Sequence, residues 1–171
     1  TKKTGVRRAR AAMALDADGV DDFYGLQETV AGADFGDGEA FVRRRLRRPE
    51  DGLPVPLQLQ ALEADMLPLR DLAVTSRAAG PLDAIVGGIE LDALDRRVAY
   101  HFYRRHPRDG VSMRSMTEQL ETRRVPASEV LHIYRRWRPG QLRGETALAP
   151  VIEAIWQLAQ YSIAEMDRAG F

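Results

Sequence analysis

The sequence predicts an α+β fold in which mixed or antiparallel strands, including a β-hairpin, pack with helices, among them a long C-terminal helix. Three observations predict it: helical periodicity occurs near both ends of the chain, β-rich runs occupy the middle, and strands and helices do not alternate regularly as in a parallel α/β sheet. The 171 residues suit one hydrophobic core. We therefore expect residues 1–171 to form a single domain.

The first predicted elements are a helix and two strands. Apolar side chains recur at intervals of three and four over residues 21–34, which predicts a helix that ends at the turn residues 36–38. Residues 40–46 form a β-rich run, and residues 55–61 alternate apolar and polar side chains, so each predicts a strand. Residues 67–83 contain two prolines and a glycine without a sustained period, and we expect an irregular connection there.

The middle of the chain predicts a β-hairpin. Residues 85–91 and 96–103 are β-rich, and the short polar connection 92–95 between them has the length of a hairpin loop. A loop is predicted from residue 106 to about 115, and a short helix over residues 116–122.

The C-terminal part predicts one more strand and the longest helix. Residues 130–136 are rich in β-branched and aromatic side chains, as strands are. In the helix Pro150 falls in the first turn, where its missing N–H is tolerated, and Gly170 marks the stop. The side chains that recur near one face of this helix are Val151, Ile155, Leu158, Ser162 and Met166.

The composition narrows the class of protein. The net charge is zero, there is no cysteine, and no apolar run approaches the roughly 20 residues that span a bilayer. Disulfides, thiolate metal sites and a membrane partner are therefore not expected. All basic residues except Lys2 and Lys3 are arginine, which fits either phosphate recognition by guanidinium groups or the codon bias of a GC-rich genome.

No motif for catalysis, a metal or a cofactor is complete. His101, His106 and His132 lack the spacing of a zinc site, so we expect structural roles for them. The glycines at 32–38 are not followed by the Lys-Ser/Thr of a phosphate-binding loop. A calcium loop starting at Asp16 would need glutamate where Gln27 stands. The sequence therefore predicts neither an enzyme nor a bound cofactor.

Arginine clusters supply the candidate contact residues. Arg135, Arg136 and Arg138 flank Trp137, and guanidinium groups beside an aromatic ring can contact phosphates or stack on bases. If this segment is a strand, alternate side chains face opposite sides and the cluster is split, so a solvated, an intersubunit and a DNA-contacting role all stay open. The candidate DNA or intersubunit contacts are Arg43, Arg44, Arg45, Arg135, Arg136 and Arg138, and further pairs stand at 104–105 and 123–124.

Three ordered segments resemble the portal proteins of lambda-like tailed phages: residues 88–101 (GIELDALDRRVAYH), 124–134 (RVPASEVLHIY) and 138–144 (RPGQLRG). The resemblance runs from about Asp22 to about Met166. Asp95 stands where the family pattern has glycine, which implies either a strained turn or another turn type.

The resemblance implies a structural role rather than an enzymatic one. Portal proteins of this family form a ring, usually of twelve copies, at one capsid vertex, and DNA is packaged and ejected through that ring. The implied partners are other copies of the chain, the terminase large subunit, capsid and tail-completion proteins, and double-stranded DNA. The implied location is the virion, and the host cytoplasm during assembly. By the same resemblance the chain is part of the portal wing, with the clip and most of the stem absent.

Two other classes stay open from the residues alone. The arginine clusters would suit a nucleic-acid-binding or DNA-processing module, which a steep salt dependence of DNA affinity would reveal. The neutral charge and the incomplete catalytic motifs would also suit a stand-alone bacterial adaptor domain.

Overall fold

A computed structural model of the chain describes residues 14–69, 84–107 and 121–170. Two antiparallel sheets dominate this part of the chain. The first sheet has the strand order β2-β1-β7, and the second has the order β3-β4-β5-β6. The elements are α1 (Phe23–Asp37), β1 (Glu39–Leu46), β2 (Leu57–Glu63), β3 (Ala84–Val86), β4 (Ile89–Leu91), β5 (Arg97–Tyr103), β6 (Thr122–Pro126), β7 (Val130–Tyr134) and α2 (Ile152–Ala169). The predicted α+β class is confirmed.

Helix α1 forms where helical periodicity predicted it. The Asp22 side chain caps its start by accepting hydrogen bonds from the N–H groups of Tyr24 and Gly25 at 3.1 and 2.9 Å. The helix continues through Gly36, which was predicted to end it, and stops at Gly38. There φ is +88°, a left-handed conformation that glycine adopts without steric cost.

Strand β1 forms where a β-rich run predicted it, and β2 forms where an alternating pattern predicted it, although β2 begins two residues later than expected. In the β1–β2 pair Phe41 lies opposite Leu62, and Val42 lies opposite Ala61. Because successive side chains in a strand point to opposite faces, one face of the first sheet presents Val42 and Ala61 to α1. The other face presents Phe41 to the second sheet.

The predicted strand 85–91 is interrupted, which corrects the sequence prediction. Gly87 and Gly88 both have positive φ, 54° and 79°, and form a tight turn between β3 and β4. Two adjacent glycines favour such a turn, so the prediction of a continuous strand was wrong there. Strand β4 then pairs with β5 across residues 92–95, and this part of the predicted hairpin is confirmed.

Other predictions differ at their boundaries or fall outside the described residues. Residues 70–83 and 108–120 lie outside, and with them most of the irregular connection, the loop and the short helix that were predicted there. Thr122, the last residue of that predicted helix, already belongs to β6, which the sequence pattern did not reveal. Strand β7 is confirmed but ends at Tyr134, two residues early.

The hydrophobic core lies between the two sheets. The ring of Phe41 meets those of Tyr100 and Phe102 edge to face, with centroids 5.8 and 5.2 Å apart. The described part of the chain is therefore layered as α1, first sheet and second sheet. The buried members of the core cluster are Phe41, Met66, Leu67, Ile89, Leu91, Tyr100, Phe102, Val125 and Val130.

Helix α2 confirms the long C-terminal helix. It follows a 3-10 turn over Ala149–Val151 that contains Pro150, and it ends at Gly170, where φ is +75°. Every one of its residues is exposed, including Trp156 and Leu158, so the described residues do not cover its apolar face. Neither helix in the described ranges combines the length and apolar character that crossing a membrane requires.

Candidate functional site

A buried carboxylate lies at the start of β1. Glu39 is 2% exposed, and its side chain accepts hydrogen bonds from His132 Nε2 at 3.0 Å, from the Gly144 N–H at 2.7 Å and from the guanidinium of Arg143. A buried charge is tolerated when it is paired and hydrogen-bonded, as here. The network joins β1, β7 and the loop that follows β7.

The protonation states follow from these contacts. Burial by itself would raise the pKa of Glu39, but the hydrogen bonds from His132, Arg143 and Gly144 outweigh it, and the pKa is lowered. Burial lowers the pKa of His132 although Glu39 opposes this shift. His132 is thus a neutral imidazole at pH 7, and its Nε2–H donates a hydrogen bond to Glu39.

Arg143 connects this network to the second sheet. Besides Glu39, its guanidinium donates to the carbonyls of Gly87 at 2.9 Å, Ala64 at 3.3 Å and Leu67 at 3.4 Å. One planar guanidinium thereby holds the β3–β4 turn and the segment after β2 against β1. Its partners are one carboxylate and three carbonyls, an arrangement that positions chain segments.

The loop between β7 and Gly144 is fixed from within by Gln141, which is 3% exposed. Its Oε1 accepts from the Trp137 N–H at 2.7 Å, and its Nε2 donates to the Arg143 carbonyl at 2.9 Å. The Tyr134 hydroxyl donates to the Gln141 carbonyl at 3.0 Å. The segment 138–144, one of the three that carry the family resemblance, is therefore a structural brace.

The candidate residues Arg135, Arg136 and Arg138 lie in this loop, beyond the end of β7. Strand alternation therefore does not divide them between two faces. The Arg135 guanidinium lies 4.0 Å from the centroid of the Trp137 ring, and that ring is 59% exposed. Arg136 and Arg138 are also exposed. The loop presents a stacked guanidinium and indole at the surface.

The candidates Arg43, Arg44 and Arg45 have three different environments. Arg43 is largely buried and pairs with Glu129 at 3.2 Å. Arg44 donates to the backbone carbonyl of Ser128. Arg45 is half-buried and lines a groove.

We call this feature the basic groove. It has a volume of about 460 Å³ and is lined by Arg43 and Arg45 from β1, by Arg104 just after β5 and by Arg123 from β6. Three arginine clusters that are far apart in sequence therefore meet in it. Apolar and aromatic side chains supply most of the remaining lining: Leu62, Met66, Phe102, Tyr103 and Val125.

The basic groove carries positive charge that is only partly neutralised. Arg43 pairs with Glu129, and Arg104 pairs with Glu121 at 3.3 Å. Within the described residues, no carboxylate pairs with Arg45 or Arg123. Burial and then the charges of Arg47, Arg43 and Arg123 lower the pKa of Arg45, and the carboxylate of Asp18 only partly opposes this shift. Such mutual repulsion favours binding of an anionic group.

A second polar cluster crosses the second sheet. Glu90 accepts from Arg124 Nε and Nη2 at 2.7 and 2.8 Å and pairs with His101 Nε2 at 2.9 Å. The bond from Arg124 is the main reason that the pKa of Glu90 is lowered. His101 and His132 thus lie in strands as predicted, each beside a carboxylate. The described ranges contain no group of three or more side chains suited to hold a metal ion.

The sequence of this chain is similar to those of phage portal proteins. A family model described as phage portal protein, lambda family, matches residues 4–171. The chain is also similar to the probable portal protein of Halomonas phage phiHAP-1, with 29% identity over 133 residues. That alignment covers 78% of this chain and 24% of the phage protein, so the chain spans about a quarter of that relative's length.

Proposed function

Because this chain belongs to the lambda family of phage portal proteins, we propose that it is a structural component of the ring at the portal vertex of a phage capsid. The family is structural rather than catalytic. The observation that carries the proposal is the match over residues 4–171, which includes every described residue. In this role the chain helps to form the passage for DNA during packaging and ejection.

The proposed position within the ring is the wing. The chain would act there as a single domain that contacts other copies of itself, usually twelve in all. The assembled ring would sit among capsid proteins at the vertex, dock the terminase large subunit during packaging, and later bind tail-completion proteins. It would form in the host cytoplasm and remain in the virion. The rigid brace around Glu39 and Arg143 supports this role, because ring subunits must hold their surfaces in fixed relative positions.

A second candidate function is a nucleic-acid contact by the loop that carries Arg135, Arg136 and Arg138. The stacked Arg135–Trp137 pair favours it, since an exposed aromatic ring beside guanidinium groups can stack on bases and contact phosphates. Arg43, Arg44 and Arg45 are weaker candidates for DNA contact, because two of them are engaged by Glu129 and Ser128.

Electron microscopy of the longer portal protein that contains this sequence tests the main proposal. We expect closed rings with a central channel. A longer protein that stays monomeric with its scaffold and capsid partners would contradict the ring role. Binding of the chain to short duplex DNA, with an affinity that falls steeply as salt rises and that is lost in Arg136→Glu/Arg138→Glu, would instead favour the second candidate.

A further inference from the structure

The basic groove and helix α1 have complementary surfaces on opposite sides of the first sheet. We propose that the groove of one copy binds the acidic outer face of α1 from a second copy of this chain. This inference rests on the proposed ring function and names the two surfaces that neighbouring copies use.

The outer face of α1 is acidic and aromatic. No lysine or arginine occurs between residues 11 and 42, whereas aspartate and glutamate recur throughout that segment. Tyr24, Glu28 and Phe35 are four and seven residues apart, so they lie on one side of the helix. Tyr24 is 76% exposed and Phe35 is 59% exposed, and Glu28 is exposed between them. Asp21 lies three residues before Tyr24, just before the helix begins, and is half-buried.

The groove has the matching chemistry. Arg45 and Arg123 are without a carboxylate partner among the described residues, and the carboxylate of Glu28 can supply one. The apolar lining that includes Phe102 and Tyr103 can take an aromatic side chain, and guanidinium groups also attract aromatic faces. A helix face that combines a carboxylate with two aromatic rings satisfies both properties of the groove.

A carboxylate partner suits the groove better than the phosphates of DNA. Arg43 and Arg104 already bind carboxylates of this chain, Glu129 and Glu121. These two pairs leave Arg45 and Arg123 as the groove arginines without a carboxylate partner among the described residues, which matches one or two carboxylates better than a run of phosphates. The zero net charge of the chain also supplies no long-range attraction for DNA.

The placement of the two surfaces predicts a head-to-tail contact. Helix α1 covers the face of the first sheet that presents Val42 and Ala61, and Arg43 and Arg45 project from the other face. Each copy can therefore offer its helix to one neighbour and its groove to the other. Such heterologous contacts generate a ring when the rotation closes.

A charge swap tests the contact. Arg45→Glu/Arg123→Glu reverses the charge of the groove, and Asp21→Arg/Glu28→Arg reverses the charge of the helix face. In low salt, each variant alone should self-associate at least about tenfold more weakly than the unaltered chain, because like charges then face each other. An equimolar mixture should regain association. The acidic groove of one variant then meets the basic helix of the other, and the unaltered groove of the second variant meets the unaltered helix of the first. NMR titration of one isotopically labelled variant with the other detects even weak pairing.

Controls separate this contact from other effects of charge. Arg105→Glu/Arg168→Glu makes the same charge change at exposed arginines that do not line the groove, and it should leave association unchanged. If the double helix variant does not fold, Glu28→Arg alone replaces it, since that exposed side chain can change without loss of a core contact.

Two results would overturn the inference. One is a mixture of reversed variants that shows no more pairing than either variant alone at millimolar concentration. The other is binding of short duplex DNA that Arg45→Glu/Arg123→Glu abolishes and the control retains, which would assign the groove to DNA. The ring role would survive either result if the longer protein still forms rings in electron micrographs.

Discussion

At the scale of single residues, Asp95 occupies a backbone conformation that favours glycine. Its φ is +58° in the turn between β4 and β5. Asp92 stabilises this turn by accepting hydrogen bonds from the N–H groups of Leu94 and Arg96, both at 2.9 Å. The turn therefore forms although a side chain stands where the family pattern has glycine.

Replacing Asp95 with glycine should raise stability. Asp95→Gly removes the cost of holding a side chain in a left-handed conformation, but glycine also gives the unfolded chain more entropy, which lowers stability. The first effect should be the larger, so that the free energy of unfolding rises by about 0.5 kcal/mol. Thermal unfolding measures it. Asp95→Ala is the matched control and should lower the melting temperature, because alanine tolerates positive φ less well. A lower melting temperature for Asp95→Gly would contradict the prediction.

The Glu39–His132 pair makes stability depend on pH. The pKa of His132 is lowered in the folded chain from an ordinary value of 6.5. Below about that pH the unfolded chain takes up a proton that the folded chain does not, so stability falls as pH falls toward the folded pKa. The lowered pKa of Glu39 acts in the same direction at more acid pH, below its ordinary value of 4.5.

His132→Gln should reduce this pH dependence. The glutamine amide can still donate to Glu39, but it does not titrate. In the unaltered chain His132 should contribute a loss of up to about 1.4 kcal/mol in the free energy of unfolding per pH unit below pH 6.5. The variant should show a smaller slope in denaturant unfolding across that range. Equal slopes for the two proteins would exclude His132 as a source of the pH dependence.

At the scale of elements, the end of α1 meets the loop after β7 through two glycines. A Cβ on Gly144 would lie 2.0 Å from the Gly38 carbonyl oxygen, and a Cβ on Gly38 would lie 2.2 Å from the Glu145 carbonyl carbon. The two backbone segments can approach this closely only because neither Gly38 nor Gly144 has a side chain. The contact also places the Gly144 N–H on Glu39.

Gly144→Ala should therefore destabilise the fold by more than about 2 kcal/mol, because backbone atoms must move and the Glu39 network is disturbed. Gly32→Ala is the matched control. A Cβ there meets no atom within 4 Å, and alanine in a helix should raise stability by up to about 1 kcal/mol. Denaturant unfolding measures both. A tolerated Gly144→Ala would show that the close approach is not required.

Helix α2 should contribute little to the stability of the body of the fold. Ile163 on α2 is 48% exposed, whereas Ile89 in the core is fully buried. We expect Ile163→Gln to change the free energy of unfolding by less than about 0.5 kcal/mol. Ile89→Ala should cost about 2–5 kcal/mol. A large loss for Ile163→Gln in denaturant unfolding would mean that the α2 face is covered within the chain.

At the scale of the whole molecule, assembly depends on several surfaces acting together. Closure of a ring normally uses all the contacts of each subunit, and this chain spans about a quarter of the phage relative it matches. The contact between α1 and the basic groove would be one part of such an interface.

The isolated chain should therefore be monomeric or weakly associated at micromolar concentration, while the longer protein forms rings. Light scattering of both proteins measures this difference. Tight rings from the isolated chain would show that these residues contain a complete interface.

Local sequence patterns were sufficient for several features of this protein. The first helix, the strands β1 and β2, and the C-terminal helix each depend on near neighbours in the chain. The same patterns failed where local signals were ambiguous. The Gly87–Gly88 turn broke a run that was β-rich on both sides, and β6 lacked the alternation that would have revealed it.

The sequence by itself determined the fold class, most element types and the family. Only the tertiary structure decided which distant residues meet. Glu39 and Arg143 join because strand order places β1 beside the loop after β7, and the same order brings Arg45 and Arg123 to one groove. Periodicity tells which face an element buries. It does not tell which strand will pair with that element, because pairing depends on the combined packing of the whole chain.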